Sequence, residues 1–255
     1  MIDDQFIETV TDACRKMPNA LAVSLGGSRS RGDHRPDSDW DFAVYYRGEV
    51  DVAYFEHLGW SGHVYRPFEW GEVMYGGAVF DLDGRHFDVH YRNLDVVEHW
   101  SNEALQGRFE VYLLGFHLAG IPTHMLTGEL ATSQTLWGQL PRPGFPHALR
   151  ESAPPMWIGR AKRELDYAAY WASSENPISC AGALAKAILQ AAHARLAHRG
   201  VWALNEKRMV EWAELRALYG LFSRLGSSRR DLETAIDEVR AAVAGVEAEY
   251  SANVL

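Results

Sequence analysis

The sequence predicts an α+β fold, in which a mixed β-sheet flanked by helices is followed by an α-helical bundle. Strand and helix patterns alternate over roughly the first 120 residues, proline and glycine are concentrated in the segment that follows, and helix-forming residues dominate the remainder. We therefore predict two domains, residues 1–120 and residues 121–255, the second of which begins with a linking segment.

The first domain is predicted from helical and strand-like periodicity. Residues 3–17 place Phe6, Val10 and Cys14 on one face of a helix. Residues 76–92 alternate in polarity on both sides of Asp83-Gly84, which is typical of a tight hairpin turn. The further elements of this half are strands at 20–27 and 40–46 and helices at 51–60 and 94–105.

The second domain is predicted from four helical patterns separated by short breaks, which are typical of a helical bundle. These patterns cover residues 155–174, 178–200, 205–222 and 227–250. In the second pattern, Lys186, Gln190 and His193 share one face, which indicates either a solvated stripe or a polar wall facing a bound substrate.

Composition and charge disfavour several classes of function. The formal net charge of −9 disfavours binding to nucleic-acid phosphates and suits a cationic or neutral small-molecule partner. No apolar run is long enough to span a bilayer and the acidic N-terminus lacks a signal pattern, so we expect a cytoplasmic protein with no membrane partner. Cys14 and Cys180 have no metal-ligand spacing, and the sequence carries no signature of oligomeric state.

Acidic side chains are predicted to converge on one face of the sheet. Strand alternation points Asp39 and Asp41 to the same side, and it gives Asp88 the corresponding position in a later strand. If the two strands are neighbours, three carboxylates meet, which is costly unless a cation lies between them. Such oxygen ligands suit Mg²⁺, whereas His86 and His90 on either side of Asp88 leave zinc as a weaker alternative.

A glycine-rich turn precedes these aspartates. The Gly26-Gly27-Ser28 turn follows an apolar strand, and its unobstructed backbone N–H groups and the Ser28 hydroxyl can hold phosphate oxygens. Arg29 and Arg31 can add positive charge for a polyphosphate, or Arg31 can simply hold the aspartate loop in shape. A phosphate-binding turn beside a metal-binding carboxylate cluster is the equipment of phosphoryl or nucleotidyl transfer.

These residues resemble the signature of the polymerase-β-like nucleotidyltransferase superfamily. The resemblance consists of Gly27-Ser28, ten intervening residues, Asp39-x-Asp41 and the later strand aspartate Asp88, and it covers roughly residues 20–92. It implies that the three aspartates hold two Mg²⁺ ions. It also implies that a nucleoside monophosphate is transferred from a nucleoside triphosphate, with release of pyrophosphate.

The helical second half resembles the antibiotic-modifying members of this superfamily, which adenylylate hydroxyls of aminoglycosides or lincosamides. This implies that ATP is the co-substrate and that a small-molecule hydroxyl accepts AMP. The helix, glycine, loop and lysine of residues 194–213 are similar to those of streptomycin/spectinomycin adenylyltransferases, which implies that Lys207 meets the triphosphate. The expected general base is either Asp88 itself or Glu129 of the linking segment, and the alternative for Glu129 is an exposed or structural glutamate.

Two other functions stay open at this point. One is a nucleotidyltransferase that modifies a protein or a tRNA, as in some toxin–antitoxin systems, although the acidic net charge disfavours tRNA. The other is a non-catalytic nucleotide-binding module, which three mutually repelling carboxylates disfavour.

Overall fold

The computed structural model describes residues 3–251 and divides the chain into two compact units. One unit is formed by the chain up to Asn102 together with Pro122–Gly144, and the other by Glu103–Ile121 together with the chain from Phe145 onward. The α+β class is confirmed, since a mixed sheet with helices is followed by a helical region. The division into domains at residue 120 stays a prediction, and the compact units do not coincide with it.

Eight strands form within residues 3–251, and six of them make one mixed sheet. Their bounds are β1 Ala20–Leu25, β2 Trp40–Tyr46, β3 Ser61–Val64, β4 Gly77–Leu82, β5 Arg85–Asn93, β6 Val111–Leu114, β7 His117–Pro122 and β8 Gln134–Gly138. The sheet has the order β3-β4-β5-β2-β1-β8, and its β2–β5 pair is parallel while the other neighbours are antiparallel. The remaining two strands, β6 and β7, pair with each other.

The helices of the described residues range from single turns to more than six turns. Their bounds are α1 Asp3–Cys14, α2 Gly27–Arg31, α3 Val52–Glu56, α4 Gly71–Met74, α5 Leu94–Leu105, α6 Met125–Thr132, α7 His147–Ser173, α8 Pro177–Arg199, α9 Met209–Trp212, α10 Tyr219–Ser223 and α11 Arg229–Ser251. No helix within residues 3–251 combines the length and apolarity that crossing a bilayer requires.

Most of the predicted elements of the first half are present. Helix α5 has the predicted bounds, and the predicted hairpin forms from β4 and β5. At its turn, Asp83 and Gly84 have φ angles of 52° and 74°, as a two-residue hairpin turn requires. The sequence patterns missed β3, α4 and the β6–β7 hairpin, and they predicted short elements in the linking segment without the bounds of α6 and β8.

The second half contains three of the four predicted long helices, α7, α8 and α11. The prediction of one helix over residues 205–222 is wrong, because this segment forms α9, a 3₁₀ turn and α10. Soon after α9, Glu214 takes a left-handed φ of 55°, which an α-helix cannot include. Helix α7 begins before the predicted residue 155 and continues through Pro154, since Leu149 and Ala153 of its first turns are buried in the core.

One face of the six-stranded sheet carries the apolar core of the first unit. The ring of Phe6 in α1 packs against Phe42 of β2 and Phe87 of β5, with ring centroids 6.0 and 5.4 Å apart. Both sheet residues are fully buried. Because side chains alternate along a strand, the residues on either side of Phe42 and Phe87 point to the opposite, polar face.

Candidate active site

Asp41 and Asp88 lie directly opposite each other on the parallel strands β2 and β5. Their neighbours Phe42 and Phe87 are held in the core, which fixes both carboxylates on the polar face of the sheet. The structure thus brings these two predicted site residues together, through the strand pairing on which the prediction depended.

A histidine completes this group. Ligand atoms of Asp41, Asp88 and His90 all lie within 4.8 Å of one another, and His90 Nε2 is 4.0 Å from Asp41 Oδ1. Asp39, the other predicted metal ligand, is exposed immediately before β2 and lies outside this group of three. Its charge nevertheless reaches the group, because it contributes to a raised pKa at Asp88.

The electrostatics of Asp88 fit a cation-binding position. Burial raises the pKa of this carboxyl above its ordinary value, and the negative charges of Asp41 and Asp39 raise the pKa further, whereas His90 and His86 lower it. A carboxylate that is both desolvated and crowded by like charge is stabilised when a cation binds beside it.

The glycine turn contacts this group directly. Gly27 has a φ of 63°, and a Cβ atom at this residue would lie 1.8 Å from Asp41 Oδ2. The preceding Gly26 donates its backbone N–H to the Asp41 carbonyl oxygen at 2.7 Å. Ser28, half-buried, follows in the first turn of α2. Only glycine at residue 27 allows the turn to lie against the carboxylate.

The two arginines of α2 contact the loop that leads to the aspartates. Arg29 donates to the Ser38 carbonyl oxygen at 2.7 Å, and its guanidinium lies 3.9 Å from the centre of the Trp40 ring. Arg31 forms an ion pair with Asp33 at 3.4 Å. Sequence reasoning considered a loop-holding role for Arg31 only, and the structure gives such contacts to Arg29 as well.

Glu129 is bound to a buried arginine. Its carboxylate accepts hydrogen bonds from Arg92 Nε at 2.6 Å and from Arg92 Nη2 at 2.8 Å. Arg92 is 1% exposed, lies two residues after His90 on β5, and also donates to the Met74 carbonyl oxygen at 2.9 Å. Glu129 therefore supplies the counter-charge that a buried guanidinium needs. Its role as general base stays a prediction.

The predicted substrate-binding and triphosphate-binding residues of the second unit differ in their burial and contacts. Lys186 forms an ion pair with a glutamate of α7 at 3.0 Å. Gln190 and His193 are buried, and the His193 ring stacks on Trp157 with 4.2 Å between ring centroids, so the interpretation as a solvated stripe is wrong for these two residues. Lys207 is exposed in the loop before α9, and its contact with a triphosphate stays a prediction.

Sequence reasoning treated His90 as a flanking residue, although the alternation that selected Asp88 places His90 on the same face. The ring of Trp70 lies 5.4 Å from the His90 ring, centroid to centroid. Trp70 itself carried no readable signal, since its place against β4 depends on a loop conformation.

The family comparison adds to this geometry. Residues 8–60 match the family described as polymerase beta, nucleotidyltransferase. This segment belongs to a nucleotidyltransferase domain of the polymerase β type. It contains the glycine turn, α2, Asp39 and Asp41. Asp88 and His90 lie beyond the matched residues, and the pairing of β5 with β2 brings them beside Asp41 of the matched segment.

Solved structures with low sequence identity resemble the chain over nearly its whole length. A nucleotidyltransferase-like protein from Exiguobacterium sibiricum is 12% identical with a TM-score of 0.47, and the match covers 98% of this chain and 79% of that one. A spectinomycin adenyltransferase from Enterococcus faecialis, solved with ATP and spectinomycin, is 11% identical with a TM-score of 0.33 and coverages of 97% and 98%. An aminoglycoside 6-adenyltransferase from Bacillus subtilis is 9% identical with a TM-score of 0.29 and coverages of 100% and 96%.

No curated protein sequence matches the chain significantly.

Proposed function

We propose that this protein is a Mg²⁺-dependent nucleotidyltransferase that transfers AMP from ATP to a hydroxyl group of a small molecule, such as an aminoglycoside-type antibiotic. The observation that carries the proposal is the opposition of Asp41 and Asp88 across the parallel β2–β5 pair, beside a glycine turn in contact with Asp41. The match of residues 8–60 supports nucleotidyl transfer, and the net charge of −9 favours a cationic acceptor over a nucleic acid.

The donor set fits divalent cations. Asp41 and Asp88 offer carboxylate oxygens close to each other, and Asp39 lies immediately ahead of β2, where its negative charge raises the pKa of Asp88. We assign the binding of two Mg²⁺ ions to these three aspartates. When bound, Mg²⁺ neutralises charge on the triphosphate and on the attacking oxygen.

The nucleotide is held on the side of the glycine turn. The backbone of Gly27 and the hydroxyl of Ser28 would donate hydrogen bonds to phosphate oxygens, and Arg31 would add positive charge. We also assign a contact with the polyphosphate to Lys207. These interactions orient the α-phosphorus for in-line attack by the acceptor hydroxyl.

The proton of the acceptor hydroxyl is assigned to Asp88. Both oxygens of the alternative base, Glu129, accept hydrogen bonds from Arg92, and a carboxylate bound in this way would have to break a buried ion pair to reach a substrate. Asp88 lies in the ligand group itself, so one side chain would both hold the cation and accept the proton.

The test is a transfer assay with radiolabelled ATP, Mg²⁺ and a panel of aminoglycosides, lincosamides, tRNA and cell protein. We expect label on an antibiotic-like small molecule. Label on tRNA or protein instead would replace the small-molecule acceptor with a macromolecule. Bound nucleotide without transfer to any acceptor, tested with all four nucleoside triphosphates, would overturn the assignment as an enzyme.

Two variants test the residues that carry the proposal. Asp41→Asn and Asp88→Asn should each lower kcat by roughly 10²-fold or more, because each removes a charged metal ligand. The matched control is Asp37→Asn, which removes an exposed carboxylate from the loop before β2 and should retain wild-type activity. Thermal unfolding should show that the folded state survives in all three variants.

A further inference from the structure

His90 is the nitrogen donor in a site whose sequence signature contains only carboxylates. It lies on the polar face of β5 two residues after Asp88, and its Nε2 is 4.0 Å from Asp41 Oδ1. That separation is too long for a hydrogen bond. It does fit two ligands of one ion, because atoms that each bind an ion at about 2.1 Å lie at most about 4.2 Å apart.

The imidazole is largely enclosed, and one of its two ring nitrogens faces the protein interior. The His90 side chain is 15% exposed, and its Nδ1 is buried with no hydrogen-bond partner among residues 3–251. Because Nδ1 is closed to solvent, Nε2, which lies towards Asp41, is the ring nitrogen that an ion can reach.

The surroundings of His90 fix the ring in place. Gly77 of β4 pairs with His90 across the sheet, and a Cβ atom at Gly77 would lie 2.5 Å from the Trp70 ring. Because Gly77 has no side chain, Trp70 can lie beside the imidazole of His90, with ring centroids 5.4 Å apart and ring planes at 66°. An edge-to-face contact of this kind restricts the ring before any ion binds.

We propose that His90 binds the divalent ion through Nε2. As a result, the site favours ions that take nitrogen ligands, such as Mn²⁺, over Mg²⁺. Imidazole is a good ligand for transition-metal ions, whereas Mg²⁺ takes oxygen ligands. The inference rests on the proposed function in so far as it uses the same ion site, but it is independent of the acceptor. Mg²⁺ can still bind through Asp41 and Asp88.

The test uses the full chain with Mn²⁺ alone, so that no nucleotide nitrogen contributes to the signal. Pulsed electron paramagnetic resonance should detect the coupling of a directly bound imidazole nitrogen in the wild type and not in His90→Gln. Titration should show Mn²⁺ binding to His90→Gln roughly tenfold or more weakly than to the wild type. Mg²⁺ binding should change by less than about threefold, because Mg²⁺ takes oxygen ligands.

Two further variants sharpen the test. His86→Gln is the matched control, because His86 lies on the same strand face but is exposed beside Asp81, and it should keep the nitrogen coupling. His90→Asp converts the ligands to three carboxylates and should lower the preference for Mn²⁺ over Mg²⁺. Circular dichroism should confirm that each variant is folded.

The ligand assignment is overturned if the wild type shows no imidazole coupling, or if the coupling and the Mn²⁺ affinity persist in His90→Gln. The proposed function is tested separately by AMP transfer with Mg²⁺. Imidazole coupling without transfer would support the ligand assignment and count against the function. AMP transfer without imidazole coupling would support the proposed function and count against the ligand assignment.

Discussion

Gly27 lies against the Asp41 carboxylate in a backbone conformation that residues with side chains rarely adopt. Replacing it by alanine costs about 1 kcal/mol for the left-handed φ alone. The larger effect is steric, because the new Cβ atom would lie 1.8 Å from Asp41 Oδ2 and must displace the carboxylate. We expect Gly27→Ala to lower the rate of AMP transfer by about 10²-fold, as misplacing a reactive group by 1 Å does.

Gly32→Ala separates the steric effect from the backbone effect. Gly32 ends α2 with a φ of 73°, and a Cβ atom there meets nothing within 4 Å. This variant should therefore lose similar stability but keep its rate of transfer and its affinity for Mn²⁺. Equal rates in the two variants would show that Gly27 does not control the position of Asp41.

The sequence predicted those site residues whose positions depend on strand alternation alone. Asp41 and Asp88 follow from a period of two and from the burial of the residues between them. Asp39 precedes β2, where no strand geometry fixes its direction, and it lies outside the ligand group. The partner of Glu129 could not be predicted, because the contact with Arg92 depends on where α6 packs.

At the scale of elements, one ion pair links α6 to the sheet. Arg92 of β5 is buried, Glu129 of α6 binds it through both carboxylate oxygens, and the Met74 carbonyl oxygen at the end of α4 accepts a third hydrogen bond. Although burial lowers the pKa of Arg92, Glu129 raises it above the ordinary value, so this guanidinium stays charged. The pair therefore connects three elements around the strand that carries Asp88 and His90.

Breaking this pair should destabilise the first unit. Glu129→Gln leaves a buried guanidinium without its counter-charge, which should lower the free energy of unfolding by about 3 kcal/mol. Urea unfolding, followed in the wild type and the variant, measures this difference. A change below about 0.5 kcal/mol, the size of an ordinary surface substitution, would count against the structural role.

A double variant distinguishes the structural role of Glu129 from catalysis. Arg92→Met with Glu129→Leu replaces the pair by apolar side chains of similar size, which should restore most of the lost stability. If Asp88 is the base, the double variant transfers AMP at a rate close to that of the wild type. A stable double variant with no transfer would instead support Glu129 as the base.

The elements that the sequence missed are short or depend on a distant partner. Strand β8 is predictable only from its pairing with β1, which begins more than one hundred residues earlier. The third helical pattern had the periodicity of one helix, but Glu214 interrupts it with a left-handed φ and contacts Arg199 of α8 at 3.0 Å. Local periodicity cannot anticipate interruptions that distant contacts stabilise.

At the scale of the molecule, the chain leaves the first unit and returns to it. Pro122–Gly144 rejoins the first unit after the β6–β7 hairpin and brings α6 and β8 with it. Composition placed this segment in a linker, because it is rich in glycine and proline. Seven of the eight residues from Thr123 to Leu130 are buried, His124 among them, whereas a connecting loop is ordinarily exposed.

The burial of His124 gives the first unit a stability that depends on pH. Desolvation lowers the pKa of this histidine from its ordinary value of 6.5 to about 4. Between these two values the unfolded chain binds a proton that the folded chain does not, so the free energy of unfolding falls as the pH is lowered. For this group alone, the loss between pH 7.5 and pH 5 is about 2 kcal/mol.

Replacing His124 isolates its contribution to the pH dependence of stability, because the many carboxylates of the chain titrate in the same way in the wild type and in the variant. Between pH 7.5 and pH 5, the free energy of unfolding of His124→Gln should decrease by about 2 kcal/mol less than that of the wild type. This difference should hold whatever the stability of the variant is at pH 7.5. Hydrogen exchange of the slowest amides of β2 and β5 measures this quantity for the first unit itself. Parallel pH profiles for the two proteins would show that His124 does not lose its proton on folding. The segment Pro122–Gly144 would then not be the source of acid sensitivity.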